Sequence, residues 1–219
     1  CDLTLDPNTA HTRLILSDEN RKITRVEDHQ TYPDHPERFD VAHQVLCVES
    51  LTGRCYWEAE WSGYKAAISV SYKGINRKGG SDCEFGSNDK SWSLICSNNR
   101  FTVWHNDNYT VIPAVCSSSN RAGVYLDVSA GSLSFYSVSD THTHTLTRLH
   151  TLTHLHTLNT TFTEPLCAGF RVDPDSSVSL CDIKQPPVRI ISDPHVTRSA
   201  EQAYQTQSWR DCSATESLQ

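Results

Sequence analysis

Glu58 and Glu60 stand at alternate positions of the run Arg54-Cys55-Tyr56-Trp57-Glu58-Ala59-Glu60-Trp61. On a strand their carboxylates project from one face about 7 Å apart, a spacing that the acid-base pair of a glycoside hydrolase can use. The same alternation gives the opposite face to Cys55, Trp57, Ala59 and Trp61, so that face is expected to be core and the glutamate face a wet outer surface. Spacing alone establishes no reaction, and the pair reads as surface charge. Eleven histidines invite a search for triads, yet the sequence holds no GxSxG elbow, HExxH pair, GxGxxG turn or P-loop. His142, His144, His150, His154 and His156 could converge on Zn²⁺ if their stretch folded back on itself. Structural zinc usually recruits Cys or carboxylate as well, so they read as a solvent-facing repeat. Nine cysteines form an odd set with long spacings and no CxxC pair. Cys55, Cys96 and Cys181 lie inside apolar patterns, so the set is expected to be buried free thiols of a reducing, cytoplasmic compartment. Two sequons, at Asn108 and Asn159, matter only for a secreted parent. No catalytic residue, cofactor or metal site is assigned.

Loop residues are better candidates, because a rigid scaffold holds them and the core does not need them. Tyr32, Asp34, His35 and Arg38 form one group in a Pro-punctuated stretch. Tyr64 is followed by Ile75 and Arg77 in a long Gly-rich connection. Asn98 and Asn99 occupy one further turn, and Arg171 and Asp173 another. Tyr and Arg are the types that most often anchor protein interfaces.

Short period-two segments recur from Arg13 to Ile183, separated by Gly, Asn, Asp, Pro and Ser, which is the pattern of an antiparallel sandwich or barrel. Ala66, Ile68, Val70 and Tyr72 make one stripe, and Trp92, Leu94 and Cys96 another. Ala122, Val124, Leu126 and Val128 continue the series, followed by Leu133 with Phe135, Ala168 with Phe170, and Val178 with Leu180. Asp127 and Gly131 bracket a turn in which a glycine suits a positive φ. A six-residue repeat runs from His144 to Leu158. Six is even, so an added unit keeps the facing of every side chain and is expected to lengthen a hairpin or loop without changing the core. The segment 185–219 opens on Pro186-Pro187, lacks the pattern and reads as a disordered tail. Hydrophobic residues at 37% and charged residues at 21% of 219 suit one sizeable core, and the net charge of -7 argues against a phosphate-tracking surface. No apolar run approaches the ~18 residues a membrane helix needs. A start at Cys1 rather than Met reads as a piece of a longer protein.

On these residues the chain resembles the PRY-SPRY domains of tripartite-motif, fish NACHT leucine-rich-repeat and stonustoxin-like proteins. Leu3-Thr4-Leu5-Asp6-Pro7-Asn8-Thr9-Ala10 with Leu14-Ile15-Leu16-Ser17 is similar to the PRY start, and Pro36-Glu37-Arg38-Phe39-Asp40 to its close. Gly53 to Trp61, Trp92-Ser93-Leu94, Gly123 to Asp127, Leu133 to Tyr136 and Glu164 to Phe170 follow in the SPRY order. The resemblance implies a bent antiparallel β-sandwich of concanavalin-like jelly-roll type, with a PRY segment at 1–46 and a SPRY domain at 47–184 forming one unit. It further implies a protein-interaction module, with no enzymatic activity of its own, from a larger cytosolic innate-immunity or ubiquitin-ligase protein. Its ligand would be a protein, with no nucleic acid, membrane or small-molecule substrate. Asp173 matches the family's usual site wall. Ile95 and Ser97 stand where antibody-binding members carry tryptophans, which argues against that ligand. A lectin-like carbohydrate-binding module shares the architecture and stands as the alternative.

Overall fold

The computed structural model describes residues 1–98, 100–113, 119–142, 148–183 and 188–191. Among them run β1 (Leu14–Ser17), β2 (Lys22–Arg25), β3 (Gln44–Leu51), β4 (Arg54–Ser62), β5 (Lys65–Tyr72), β6 (Ser91–Ser97) and β7 (Arg100–His105). The series continues with β8 (Asn108–Val111), β9 (Arg121–Asp127), β10 (Ser132–His142), β11 (Arg148–Asn159), β12 (Leu166–Val172), β13 (Ser177–Leu180) and β14 (Val188–Ile191). The one helical element among the described residues is a 3-10 turn, Ser81–Cys83. No helix among these residues is long and apolar enough to cross a membrane.

Two sheets form the sandwich expected from the sequence. Eight strands pair in the order β1-β2-β13-β4-β9-β10-β11-β14, and six in the order β3-β12-β5-β6-β7-β8. The alternating stripes meet between them: Trp57, Trp61, Val124, Leu133 and Phe135 from the first sheet face Ile68, Val70, Trp92, Leu94, Phe101 and Phe170 from the second. Trp57 and Trp92 are each 2% exposed, so both belong to the core. Edge-on aromatic pairs fix the stacking, Trp61 against Phe101 at 5.9 Å and Tyr72 against Trp92 at 5.3 Å between ring centres. The N-terminal segment joins the same core through Leu3, Leu5, Ala10 and Leu14. The turn after β9 closes as its sequence requires. Gly131 takes φ +66°, while Asp127 Oδ1 accepts from the Ala130 N–H at 2.9 Å.

Four expectations need revision. The outer face of β4 is not wet along its length, since Tyr56 and Glu58 are 4% and 3% exposed. A second apolar layer of Tyr56, Tyr125, Tyr136, Val138 and Leu152 lies there, with Ile183 packed against it. Glu58 is neutralised within that layer by Arg121 and accepts the Tyr56 hydroxyl at 2.7 Å. Cys1 and Cys55 are joined in a disulfide across 5.5 Å between Cα atoms, whereas Cys47, Cys83, Cys96, Cys167 and Cys181 are free thiols. Within the segment read as a disordered tail, β14 pairs parallel to β11, and residues 184–187 and 192–219 lie outside the described residues.

The hexapeptide repeat does lengthen the β10–β11 hairpin, but it also reaches the core. A register shift at Phe135/Tyr136 leaves Leu155 as an extra residue between His154 and His156. Leu155 therefore turns into the main core, while Leu152 joins the outer layer. His144 lies outside the described residues.

Candidate binding face

The outward residues of the six-stranded sheet divide into a covered half and an open half. Over β3 and β12, the connection from Lys73 to Lys90 folds back and buries Phe39, Leu46, Ile75, Phe85 and Cys167 in a cluster of its own. Phe39 and Phe85 meet edge-on at 5.9 Å. The absence of a side chain at Gly169 is what lets the Phe85 ring lie on β12, because a Cβ there would stand 2.5 Å from its Cζ. Gln44 pins the same loop by donating to the Cys83 carbonyl at 2.7 Å and accepting from the Phe85 N–H at 3.2 Å.

Beyond the loop the sheet is open. Arg171, Ala67, Ile95, Thr102 and Val111 pair in one row across β12, β5, β6, β7 and β8. At the usual strand spacing that row is roughly 19 Å long. The neighbouring row ends in Trp104 and Tyr109, whose rings stack at 5.1 Å. Tyr109 and Val111 are 63% and 61% exposed, the two most exposed large apolar side chains among the described residues. Phe101 and Val103 take the inward positions of β7, so strand alternation itself puts Thr102 and Trp104 outside.

A polar cleft of about 300 Å³ closes one end of this strip, lined by Arg25, His43, Lys65, Glu84, Arg171 and Asp173 among others. Arg171 pairs with Glu84, and Lys65 lies 3.7 Å from Asp173. The His43 ring packs 4.3 Å from that of His11. Burial first, then the neighbouring His11, Arg25 and Arg13, push His43 down to about 4. A larger cleft of about 580 Å³ lies at the other side of the loop, between Pro36, Glu37, the Gly74–Lys78 stretch, Asp82 and Lys90.

The residues singled out from sequence fall into three places. Arg171 and Asp173 line the polar cleft, and Tyr64 and Asn98 lie in the turns beside paired residues of β5 and β6. Lys65, which follows Tyr64, pairs with Ser97, which precedes Asn98. Asn98 takes φ +47° in the β6–β7 turn, and Asn99 lies outside the described residues. Ile75 and Arg77 line the larger cleft, but Ile75 is buried. Arg77 is spent on the Ile75 and Lys73 carbonyls and on Glu37 at 2.8 Å. The third group braces its own loop. Arg38 is 6% exposed and donates to the carbonyls of Pro7, Ala10 and Pro33. Tyr32 lies under that guanidinium at 4.8 Å and donates to the Leu14 carbonyl. His35 accepts from the Glu37 N–H at 3.2 Å, and Asp34 is exposed. Sequence reasoning did not select Arg25, His43, Glu84, Trp104, Tyr109 or Val111. The alternation Arg100, Thr102, Trp104 against Phe101, Val103 was the available signal for the tryptophan.

Glu58 and Glu60 share no cleft, since one is paired beneath the outer layer and the other is exposed. Among the described residues no three His, Cys, Asp or Glu side chains are arranged to hold a metal. His154 contacts the Tyr136 ring and the Thr157 hydroxyl.

Comparison with known proteins agrees with this architecture. A family model described as the SPRY-associated domain, PRY, matches residues 3–51, and the SPRY domain model matches residues 54–173. Stonustoxin subunit beta of Synanceia horrida is 46% identical over 151 residues, which is 66% of this chain and 21% of that protein. Tripartite motif-containing protein 16 of Mus musculus is 42% identical over 142 residues, 63% of this chain and 25% of that protein. The chain thus spans about a fifth to a quarter of the length of these relatives. Among solved structures, stonustoxin superposes with a TM-score of 0.71 at 41% identity, covering 83% of this chain and 27% of that one. The TRIM65 PSpry domain gives 0.71 at 27% identity, covering 83% and 91%.

Proposed function

Because the chain belongs to the SPRY family, with its PRY segment in front, we propose that it recognises a protein partner on the open outer strip of the six-stranded sheet. Protein binding is the business of such domains; the face is our assignment. The observation that carries it is the row from Arg171 to Val111 together with its neighbour ending in Trp104 and Tyr109, where exposed Tyr109 and Val111 and half-buried Ile95 and Trp104 lie on a strand floor with charge at one end. Apolar centres with polar borders are what protein interfaces share. The strand floor needs no rearrangement to meet a partner, so recognition is by preformed complementarity over a standard-sized patch.

The test is capture from cell extract with the wild type, Val111→Asp and Tyr109→Ala, each checked for an unchanged melting temperature. Loss of the same captured proteins in both variants supports the assignment. Equal recovery by all three proteins removes it, and binding to a glycan array instead would favour the lectin reading.

For the parent we propose a cytosolic innate-immunity or ubiquitin-ligase protein, in keeping with its likeness to tripartite motif-containing protein 16 and to the E3 ubiquitin-protein ligase TRIM11 of Rattus norvegicus. The free thiols suit a reducing compartment. The Cys1–Cys55 bond favours a secreted parent instead. Alkylating thiols in intact cells before lysis decides between them: labelled Cys1 and Cys55 support the cytosol.

A further inference from the structure

The polar cleft at the end of the strip holds an imbalance that its own side chains leave unresolved. Three cations line it, Arg25, Lys65 and Arg171, against two carboxylates, Glu84 and Asp173. Both carboxylates are already engaged, Glu84 by Arg171 and Asp173 by Lys65. Arg25 has no ion pair among the described residues, and its charge faces His43 and His11.

The three histidines nearby are not equivalent. His11 Nδ1 accepts the Arg13 N–H at 3.0 Å. His29 Nε2 accepts from Arg13 Nε at 3.2 Å, and its Nδ1 meets the Thr12 hydroxyl at 2.7 Å. The His43 ring makes no hydrogen bond among the described residues, so both its nitrogens are uncommitted, and it lines the cleft. The groups that face it are His11 and Arg13 from the N-terminal segment, Arg25 from β2, Lys65 from β5, Glu84 from the loop, Arg171 from β12 and Asp173 just after it. That surrounding is cationic, and with the cleft empty it opposes a proton on the ring. An anion in the cleft reverses the balance.

We propose that this cleft receives a carboxylate from an acidic segment of the protein partner, held by Arg25 and Lys65, and that docking draws a proton from solvent onto His43. This rests on the reading that the adjoining strip binds protein, and it names the chemistry and the regulation of that site. A side-chain carboxylate suits the cleft better than phosphate. Glu84 and Asp173 in its wall repel a dianion more than a monoanion, and the cleft opens onto an apolar strip that suits the rest of a polypeptide. Binding that takes up a proton tightens as pH falls. If docking restores His43 to the ordinary imidazole range, affinity rises by about tenfold between pH 7.5 and 5.5.

The experiment follows the His43 ring resonances by NMR in the full chain, from pH 7.5 to 4.5, with no addition, with acetylated hexaglutamate amide, with hexaglutamine amide, and with inorganic phosphate. Hexaglutamate alone is expected to raise the His43 titration midpoint by at least one unit. Its affinity should rise about tenfold on acidification, His43→Gln should abolish that pH dependence, and Arg25→Gln should weaken binding at every pH. A midpoint that hexaglutamate leaves in place overturns the proposal, as does a larger shift with phosphate or an undiminished pH dependence in His43→Gln. The titration uses no cellular partner, so its failure leaves the capture test with Val111→Asp standing, and failure of the capture test leaves the titration standing.

Discussion

Gly169 lies on β12 where the Phe85 ring crosses the outer face of the sheet, and an alanine there tests how the long loop is held. The new Cβ would stand 2.5 Å from Phe85 Cζ, 2.8 Å from Cε2 and 3.1 Å from Leu46 Cδ2. Carbon atoms in comfortable contact sit about 3.5–4.0 Å apart, so the ring must retreat by roughly 1 Å. Overpacking of this kind costs about 1–3 kcal/mol, and the stiffer unfolded chain returns about 0.4–1 kcal/mol, leaving a net loss of roughly 1–2 kcal/mol. For a domain of this size that is a melting temperature lower by about 2–8 °C. The loss should be confined to the loop's docking, so hydrogen exchange should accelerate from Lys73 to Lys90 while β4 and β9 keep their protection. Phe85→Leu shortens the clashing side chain, so the double variant Gly169→Ala/Phe85→Leu should be less destabilised than the sum of the singles by about 1 kcal/mol. Strict additivity, with exchange in the loop unchanged, would refute the claim that the ring and the bare backbone fit each other.

Arg121→Met should destabilise the domain by about 3–5 kcal/mol in urea unfolding, because it strands the buried Glu58 carboxylate; a loss under 1 kcal/mol would mean that water already reaches Glu58. Burial lowers His11 and, with its cationic neighbours, takes His43 to about 4, below the value of about 6.5 in an unfolded chain. Between those values the unfolded chain binds more protons, so stability is lost as pH falls from about 6.5 toward 4. Melting curves should show a shallower acid decline in His43→Gln, and an identical decline would contradict this. Deleting His150–Leu155 slides the preceding unit of the repeat into its place with Leu146 and Leu149 at the positions of Leu152 and Leu155, so the melting temperature should change by only a few degrees, and loss of cooperative unfolding would count against that register.

The stripes of the core were readable because strand alternation is local: each inward residue announces itself two positions on. What alternation cannot report is a third layer. Tyr56 and Glu58 occupy outward positions as expected, yet both are buried, and the layer that holds Tyr56 gathers Leu152 and Ile183, more than 90 residues away in sequence, which no local pattern can bring there. Arg38 misled for a related reason. A loop arginine looks like an interface anchor, but the irregular chain around it leaves carbonyls unpaired at Pro7, Ala10 and Pro33, and a guanidinium is well suited to collecting them. Arg171 and Asp173 could be picked from sequence as chemistry in a turn. Their engagement with Glu84 and Lys65 could not, because it depends on where a long loop and a neighbouring strand come to rest.

The two outer faces also differ in what a partner would have to displace. On the eight-stranded sheet Tyr56, Tyr125, Tyr136, Val138 and Leu152 are already buried, and the charged pair Glu58–Arg121 is already satisfied, so covering that layer removes little apolar surface from water. On the six-stranded sheet Phe85 and Ile75 cover Leu46 and Cys167 in one half, where Val48 stays exposed, while the other half carries the two most exposed large apolar side chains among the described residues, Tyr109 and Val111. The loop that seals the first half also carries Glu84 to Arg171 at the edge of the second. Its docking therefore shapes the polar end of the strip, and a change as remote as a methyl group on Gly169 should reach the binding face through that ion pair.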